Sequence, residues 1–307
     1  MIAAITGANG FIGQHLVRCF TEAGWQTRVV VRAHFEADKL ARLFADADVV
    51  VHAAGATRAP THQQLHASNV ELTRRTLDAA RSAHAGRFVY ISSQAAAGPA
   101  PSRDAPMDES TPPAPIEEYG RTKLAAEQIV RDSAGIPTVI VRPSAVYGPH
   151  DRDFLALYRL AARGVAIHPA NRNQWISIIH VADLVDGIFR AATDTRAVGR
   201  TFFLANGEPV QWAELFRGVA TCAGRTLAID VEVPEAIIDA GAALGALASR
   251  LTGHATLLTT DKVALGKPPF WICSNARARA ELNFLPKVNL RKGLCETYHW
   301  YRENHWL

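Results

Sequence analysis

Tyr119 and Lys123 stand four residues apart in the run Tyr119-Gly120-Arg121-Thr122-Lys123. On a helix that spacing puts a phenol and an ammonium on one face, one turn apart. A phenol titrates near 10 in water, so a fixed positive charge beside it would make it usable as an acid/base near neutral pH. The lysine is not an incidental cation: the chain has 33 basic residues of which only six are lysines, and Lys123 is the only one between Lys39 and Lys262. Ser92 and Ser93 close an apolar run, where either hydroxyl could meet a substrate oxygen. A metal reading finds less support. His62 and His66 lie four apart with no carboxylate or third ligand in a known spacing, which fits a solvated helix face.

A second cluster could hold an anion. In Gly7-Ala8-Asn9-Gly10-Phe11-Ile12-Gly13 three glycines fall between a predicted strand and a predicted helix. The first permits a tight turn, the second lets backbone amides approach a pyrophosphate, and the third allows close helix packing. The next strand ends Val29-Val30-Val31-Arg32, where an Asp or Glu would bind a ribose hydroxyl. Val31 cannot accept a hydrogen bond, and Arg32 can instead fork around a 2′-phosphate, so the sequence favours NADP, with NAD as second choice.

These residues need a scaffold, and the first two hundred residues supply its pattern. Continuous apolar runs at 2–6, 26–32, 48–52, 87–92, 138–142 and 175–180 read as strands buried on both faces. Helical patterns at 11–23, 35–44, 69–82, 117–133 and 181–192 alternate with them. The alternation predicts an α/β fold, a Rossmann doubly wound parallel sheet with a smaller, mainly helical C-terminal substrate domain. The dinucleotide domain is expected over 1–150 and about 175–206, and the substrate domain over about 151–174 and 207–307. A stretch from Ala97 to Pro115 carries six prolines and reads as a long functional loop.

Taken together, the Gly loop, His52-Ala53-Ala54-Gly55, Asn69-Val70, Ile91-Ser92-Ser93, Tyr119 to Lys123, Arg142-Pro143-Ser144-Ala145-Val146-Tyr147-Gly148-Pro149 and Ile179-His180-Val181-Ala182-Asp183 resemble the extended short-chain dehydrogenase/reductase family. The likeness continues to Ser274-Asn275-Ala276-Arg277 and so covers most of the chain. It implies that Tyr119 is the general acid/base, that Lys123 binds the nicotinamide ribose and lowers the Tyr119 pKa, and that Ser93 orients the substrate oxygen. Asn69 would support the site. Gly7, Asn9, Gly10, Phe11, Ile12, Gly13, Arg32, His52, Ala53, Ala54, Gly55, Ser92, Pro143, Ser144 and Val146 would join Tyr119 and Lys123 around the cofactor. Arg32 matches the Arg of the NADPH-using dihydroflavonol reductase branch. Three departures stand out: the usual third strand is shortened or missing, because only about 15 residues separate Arg32 from the strand at Asp48. Ala97 stands where sugar-nucleotide epimerases commonly carry Tyr, and Ser144-Ala145 replaces an Asn common in that branch.

The expected activity is a carbonyl reductase or alcohol dehydrogenase. Ile237, Ile238, Leu244, Leu247, Leu257, Leu258, Phe270 and Trp271 suggest an apolar substrate or simply a second core. The alternative is a nucleotide-sugar epimerase or dehydratase with tightly bound NAD; a regulatory nucleotide sensor is disfavoured by the retained Tyr119, Lys123 and Ser93. Composition sets the surroundings. A charge of +4 without a basic run points away from nucleic acid. No stretch is long and apolar enough to span a membrane, and 234–251 reads as a buried or amphipathic helix. The four cysteines, Cys19, Cys222, Cys273 and Cys295, lie far apart and suggest neither a disulfide scaffold nor a zinc site, which fits a cytoplasmic protein. The partner expected is a small molecule, and the reading admits a homodimer.

Overall fold

Six parallel strands form the central sheet of the computed structural model, which describes residues 1–169, 172–234, 236–241, 245 and 265–307. In sequence order they are β1 (Ile2–Thr6), β2 (Gln26–Val30), β3 (Val49–His52), β4 (Phe88–Ile91), β5 (Thr138–Pro143) and β10 (Thr201–Leu204). In space they run β10-β5-β4-β3-β1-β2. The apolar runs are explained by burial on both sides. Ala3, Ile5, Val49, Val51, Val89 and Val141 face α1 (Phe11–Glu22) and α7 (Val181–Thr193). Their neighbours Ala4, Val50, Phe88, Tyr90 and Ile140 face α2 (Ala37–Phe44), α4 (Leu72–Ser82) and α5 (Glu118–Arg131). Alternation at period two thus feeds two separate cores.

The chain leaves β1 towards β2 on one side and returns to β3 on the other, so the strand order reverses between β1 and β3. A crevice opens outside the strand ends at such a reversal, and ligands bind there. The loops after β1 and β3 both border it. Beyond β2 no further strand is added among the described residues; the segment after it becomes a 3-10 turn, Arg32–His34, and then α2. That accords with the short interval read in the sequence, and it ends β2 at Val30, before Arg32.

Two element expectations are corrected. The 175–180 run is not a strand of the main sheet. It breaks at Ser177 into β8 (Trp175–Ile176), which pairs β11 (Val210–Gln211) and β12 (Phe270–Trp271), and β9 (Ile178–His180), which pairs β6 (Ala145–Tyr147). The sixth strand is β10, whose Phe202, Phe203 and Leu204 are fully buried. The helix expected from Asn69 begins earlier, at α3 (His62–His66), capped by Thr61, and passes through a π turn, Ala67–Glu71, before α4.

The remaining core gathers α6 (Leu155–Ala161), β7 (Val165–Pro169), α8 (Trp212–Cys222) and the closing helix Leu290–Glu303. The Pro-rich loop packs on the C-terminal segment through backbone bonds: Ala100 donates to Phe270, Met107 to Ile272, and Ser274 to Met107. Ile238 is buried and Ile237 exposed. The expected pocket residues Leu244, Leu247, Leu257 and Leu258, and most of the 234–251 helix, lie outside the described residues. No helix among the described residues is long and apolar enough to cross a membrane.

Cysteine usage differs from the sequence reading, because Cys222 on α8 is bonded to Cys295 on the closing helix while Cys19 and Cys273 are free. Separation by 73 residues hid the pair; only the packing of the two helices brings the sulfurs together. Closing so long a loop restricts the unfolded chain, so Cys222→Ser should cost about 2–4 kcal/mol relative to the oxidised protein. Denaturant midpoints measured with and without reductant check it: the reductant should shift wild type towards the variant and leave the variant unmoved.

Candidate active site

The Gly loop fits its residues by exclusion of side chains. Gly7 adopts φ +68°, and a Cβ there would sit 2.8 Å from the Ala54 nitrogen. A Cβ on Gly13 would lie 2.0 Å from the Gly7 carbonyl oxygen. The turn after β1, the first turn of α1 and the Ala53-Ala54-Gly55 loop therefore touch through bare backbone. The Gly10 amide donates to the Gly7 carbonyl at 2.8 Å. Helix α1 starts with no side-chain cap and no acidic residue in its first turn, so its first amides are left for an external anion. Asn9 and Gly10 are exposed at the rim, with Phe11 and Ile12 half-buried behind them. This is a cradle that a Cβ would fill, and a dinucleotide pyrophosphate fits it.

His52 lies beneath the loop rather than in it. Thr6 Oγ1 is 2.7 Å from His52 Nδ1, and His52 Nε2 is 3.1 Å from Thr73 Oγ1. Because the Ala54 amide donates to Thr6 Oγ1 at 3.2 Å and Thr73 Oγ1 donates to the Asn69 carbonyl at 2.6 Å, the bonds run one way. Thr6 donates to Nδ1, and the Nε2 proton goes to Thr73. The ring is neutral. Burial, with the nearby Lys123 charge, pushes its pKa down to about 3. The His52 side chain thus ties β1 and β3 to α4 and offers no free nitrogen to a cofactor.

Asn69, in the π turn, is fully engaged. Its Oδ1 accepts from the Ala56 amide at 2.8 Å, and its Nδ2 donates to the Ala56 carbonyl and to Thr122 Oγ1, each at 2.9 Å. It clamps the loop after β3 to α5, where Thr122 donates in turn to the Tyr119 carbonyl.

Helix α5 is aimed by its first residues. Glu117 caps it, accepting from the Tyr119 and Gly120 amides at 2.6 Å each. A Cβ on Gly120 would meet the Ala95 carbonyl oxygen at 2.3 Å, so only glycine lets the helix lie against the turn after β4. That turn begins at Ser93, whose side chain accepts from the Ala95 amide at 3.1 Å. Tyr119 and Ser93 are brought together by this approach. Burial pushes the Tyr119 phenol up to about 12, a hydrogen bond with Ser93 pulls it down, and the Glu117 and Asp153 charges add to the rise.

Lys123 sits one turn further along, buried. It donates to the Ile91 carbonyl at 2.6 Å, and its ammonium lies 4.3 Å from the centre of the Tyr90 ring. Burial lowers its pKa to about 7, with Glu127 opposing. The expected lowering of Tyr119 by Lys123 is not what sets the phenol here, because burial outweighs the other influences and the ammonium is engaged by Ile91.

Ser92 and Ser93 have separate fates. Ser92 Oγ donates to Glu127 Oε1 at 2.6 Å, and Glu127 also receives Arg142 through Nε at 2.8 Å and a second guanidinium nitrogen at 2.7 Å, and Arg131 at 2.6 Å. Ser92 therefore points into a buried ion-pair knot and not toward a cofactor. Sequence reasoning missed Glu127, although its position four after Lys123 on the same helix face was visible. Pro143 ends β5, and the next residue, Ser144, holds a buried hydroxyl with no partner among the described residues. A native protein seldom buries such a group without use. Val146 packs half-buried on the first core. Arg32 is exposed in the 3-10 turn after β2 and carries no ion pair among the described residues.

Comparison with known proteins places this architecture. Residues 3–205 match the family model described as NAD dependent epimerase/dehydratase family. The ceramide reductase of Caulobacter vibrioides is 31% identical over all of this chain and 96% of its own length. A 4-hydroxy-2-methyl-3-oxo-4-farnesyl-3,4-dihydroquinoline-1-oxide ketoreductase of Stigmatella aurantiaca is 28% identical over 94% of this chain and 93% of its own. The solved structure of RMD from Pseudomonas aeruginosa complexed with NADPH superposes with a TM-score of 0.80 at 20% identity, covering 99% of each chain, and shares the fold. The chain belongs to the NAD dependent epimerase/dehydratase family and is an NAD(P)-dependent enzyme of the extended short-chain dehydrogenase/reductase type.

Proposed function

We propose that this enzyme is an NADPH-dependent ketoreductase that interconverts a ketone and a secondary alcohol on an apolar substrate. The observation that carries the reading is the convergence of Ser93 and Tyr119 at the crevice with Lys123 buried one turn below them. A bound nicotinamide would supply or accept the hydride. Tyr119, held protonated by burial, gives its proton to the carbonyl oxygen as that oxygen gains charge. Ser93 donates a hydrogen bond to the same oxygen and orients it. Lys123 would hold the ribose hydroxyls, and the first amides of α1 would hold the pyrophosphate. Asn69 positions the loop and α5 relative to each other. The reductase and the ketoreductase among the relatives support this chemistry. Turnover of ketones with loss of nicotinamide absorbance tests it. Turnover of a UDP-sugar with no net absorbance change would instead favour an epimerase or dehydratase with retained NAD, the reading the family description also allows.

The cofactor preference rests on Arg32, which is exposed and carries no ion pair among the described residues, at the position where a 2′-phosphate would sit. A charge-assisted hydrogen bond contributes about 1.5–3 kcal/mol. Arg32→Ala should therefore weaken NADPH binding about 10- to 100-fold and leave NADH binding nearly unchanged. Separate titrations of the two cofactors decide it, and equal losses for both would remove Arg32 from this role.

A further inference from the structure

A polar cavity of about 350 Å³ lies along β10, an edge strand of the main sheet. Its walls are Arg131 at the end of α5, Arg142 of β5, Arg200 just before β10, Arg277 on the helix Ala276–Leu282, and the Pro-rich loop around Glu109. The volume exceeds the roughly 300 Å³ at which small-molecule sites begin. The sheet order puts this cavity at the edge opposite β2. It is therefore separate from the Gly-loop cradle and from the Arg32 position, where the cofactor's own phosphates would lie.

Four guanidinium groups converge on it, and most of their donors are unspent. Arg142 gives Nε and Nη2 to Glu127 and Arg131 gives Nη2 to the same carboxylate. Arg142 Nη1 and the two other Arg131 nitrogens have no partner among the described residues. Arg277 stands 3.7 Å from Glu109, beyond hydrogen-bond length. The Arg200 side chain makes no hydrogen bond or ion pair among the described residues. On the other side of the balance, one Glu109 oxygen is taken by the Phe203 amide at 2.8 Å, and the Ser110 and Thr111 hydroxyls donate to Asp108. Setting Glu109 and Glu127 against the four arginines leaves two positive charges in excess.

A lining rich in N–H donors, with an excess of two positive charges, is the complement of an acceptor-rich dianion. A phosphate monoester is such a group, with a second pKa of about 6, and the planar guanidinium fork matches its oxygens in pairs. We infer that this cavity is a second ligand site that takes a small compound carrying a phosphate monoester, held by Arg200 and Arg277 at the mouth and by Arg142 Nη1 at the base. Arg200 is exposed and the Arg142 side chain is only 3% exposed, which orders the contacts from mouth to base. An occupant ties the Pro-rich loop to α5 and β10, which gives that loop a binding role. The assignment is independent of the ketoreductase reading.

The test is calorimetry on the full-length protein saturated with its nicotinamide cofactor, so that the cradle after β1 is filled, in buffer free of phosphate. Ribose 5-phosphate is the probe, with ribose and succinate as the neutral and dicarboxylate controls. Wild type should bind ribose 5-phosphate and bind succinate at least tenfold more weakly. Arg200→Ala and Arg277→Ala should each weaken ribose 5-phosphate about 10- to 100-fold, the loss of one charge-assisted hydrogen bond. Arg279→Ala, on the same helix but outside the lining, removes the same charge and should leave binding unchanged. Arg200 is exposed and unpaired among the described residues, so its loss should not disturb the fold, and melting curves check all three variants. No binding by wild type, or weakening by Arg279→Ala equal to that by the other two, would overturn the site. Binding of ribose as tight as that of its phosphate would also overturn it, and equal binding of succinate would overturn the phosphate class. A changed oligomeric state in Arg200→Ala and Arg277→Ala without phosphate binding would assign these donors to carboxylates of a second copy of the chain and overturn the small-ligand site.

Discussion

Tyr119→Phe is expected to lower turnover by about 10²- to 10⁴-fold, the usual contribution of a positioned general acid, or about 3–5 kcal/mol of transition-state stabilisation. The variant keeps the ring and its packing on the start of α5. It keeps the Glu117 cap on the Tyr119 and Gly120 amides, and it leaves the cradle after β1 untouched. NADPH affinity should therefore change little, so the loss should fall on kcat. The direction of reaction has its own signature. With the phenol pushed up to about 12, Tyr119 stays protonated through the neutral range, and reduction, which needs the proton, should be nearly independent of pH there. Oxidation of the alcohol needs the phenolate and should accelerate as pH rises. Steady-state rates in both directions, with cofactor binding followed by fluorescence, check this; a Phe variant within a few-fold of wild type would exclude Tyr119 as the acid/base.

The candidate site was legible in part, because its residues lie in short, local patterns. The Gly7 to Gly13 run, the Tyr119-to-Lys123 spacing and the apolar strands all express their geometry within one turn or one loop. What was hidden depends on partners far away in sequence. His52 reads as part of a loop motif, yet its ring is spent on Thr6 and Thr73, 46 and 21 residues distant. Ser92 and Ser93 are indistinguishable by type and differ only because strand alternation turns one toward Glu127 and the other toward Tyr119. The 175–180 run has the composition of a buried strand, but Ser177 bonds to Cys273 and the two halves join different small sheets. Cys222 and Cys295 could be paired only by knowing that α8 packs on the closing helix.

Glu127→Ala should destabilise the protein by about 3–5 kcal/mol, the cost of leaving a buried guanidinium without its partner. Glu127 is 0% and Arg142 2% exposed, and the carboxylate accepts from Ser92, Arg131 and twice from Arg142. Removing it strands the buried Arg142 between β5 and α5 without its partner. Arg131 is only partly buried and can turn to solvent, so the cost concentrates on Arg142. Replacing both members, Glu127→Met with Arg142→Met, should recover much of the stability, because a buried ion pair offsets its own desolvation only in part. The same carboxylate supports the site. It is the charge that opposes the lowering of Lys123, so in folded Glu127→Met/Arg142→Met protein the ammonium should lose its proton at lower pH, and cofactor affinity should fall as pH rises through a window below that of wild type. Denaturant midpoints for the two variants and NADPH titrations against pH separate the two effects. A Glu127→Ala cost within the roughly 0.5 kcal/mol of an ordinary surface substitution would show that the knot does not hold β5 to α5.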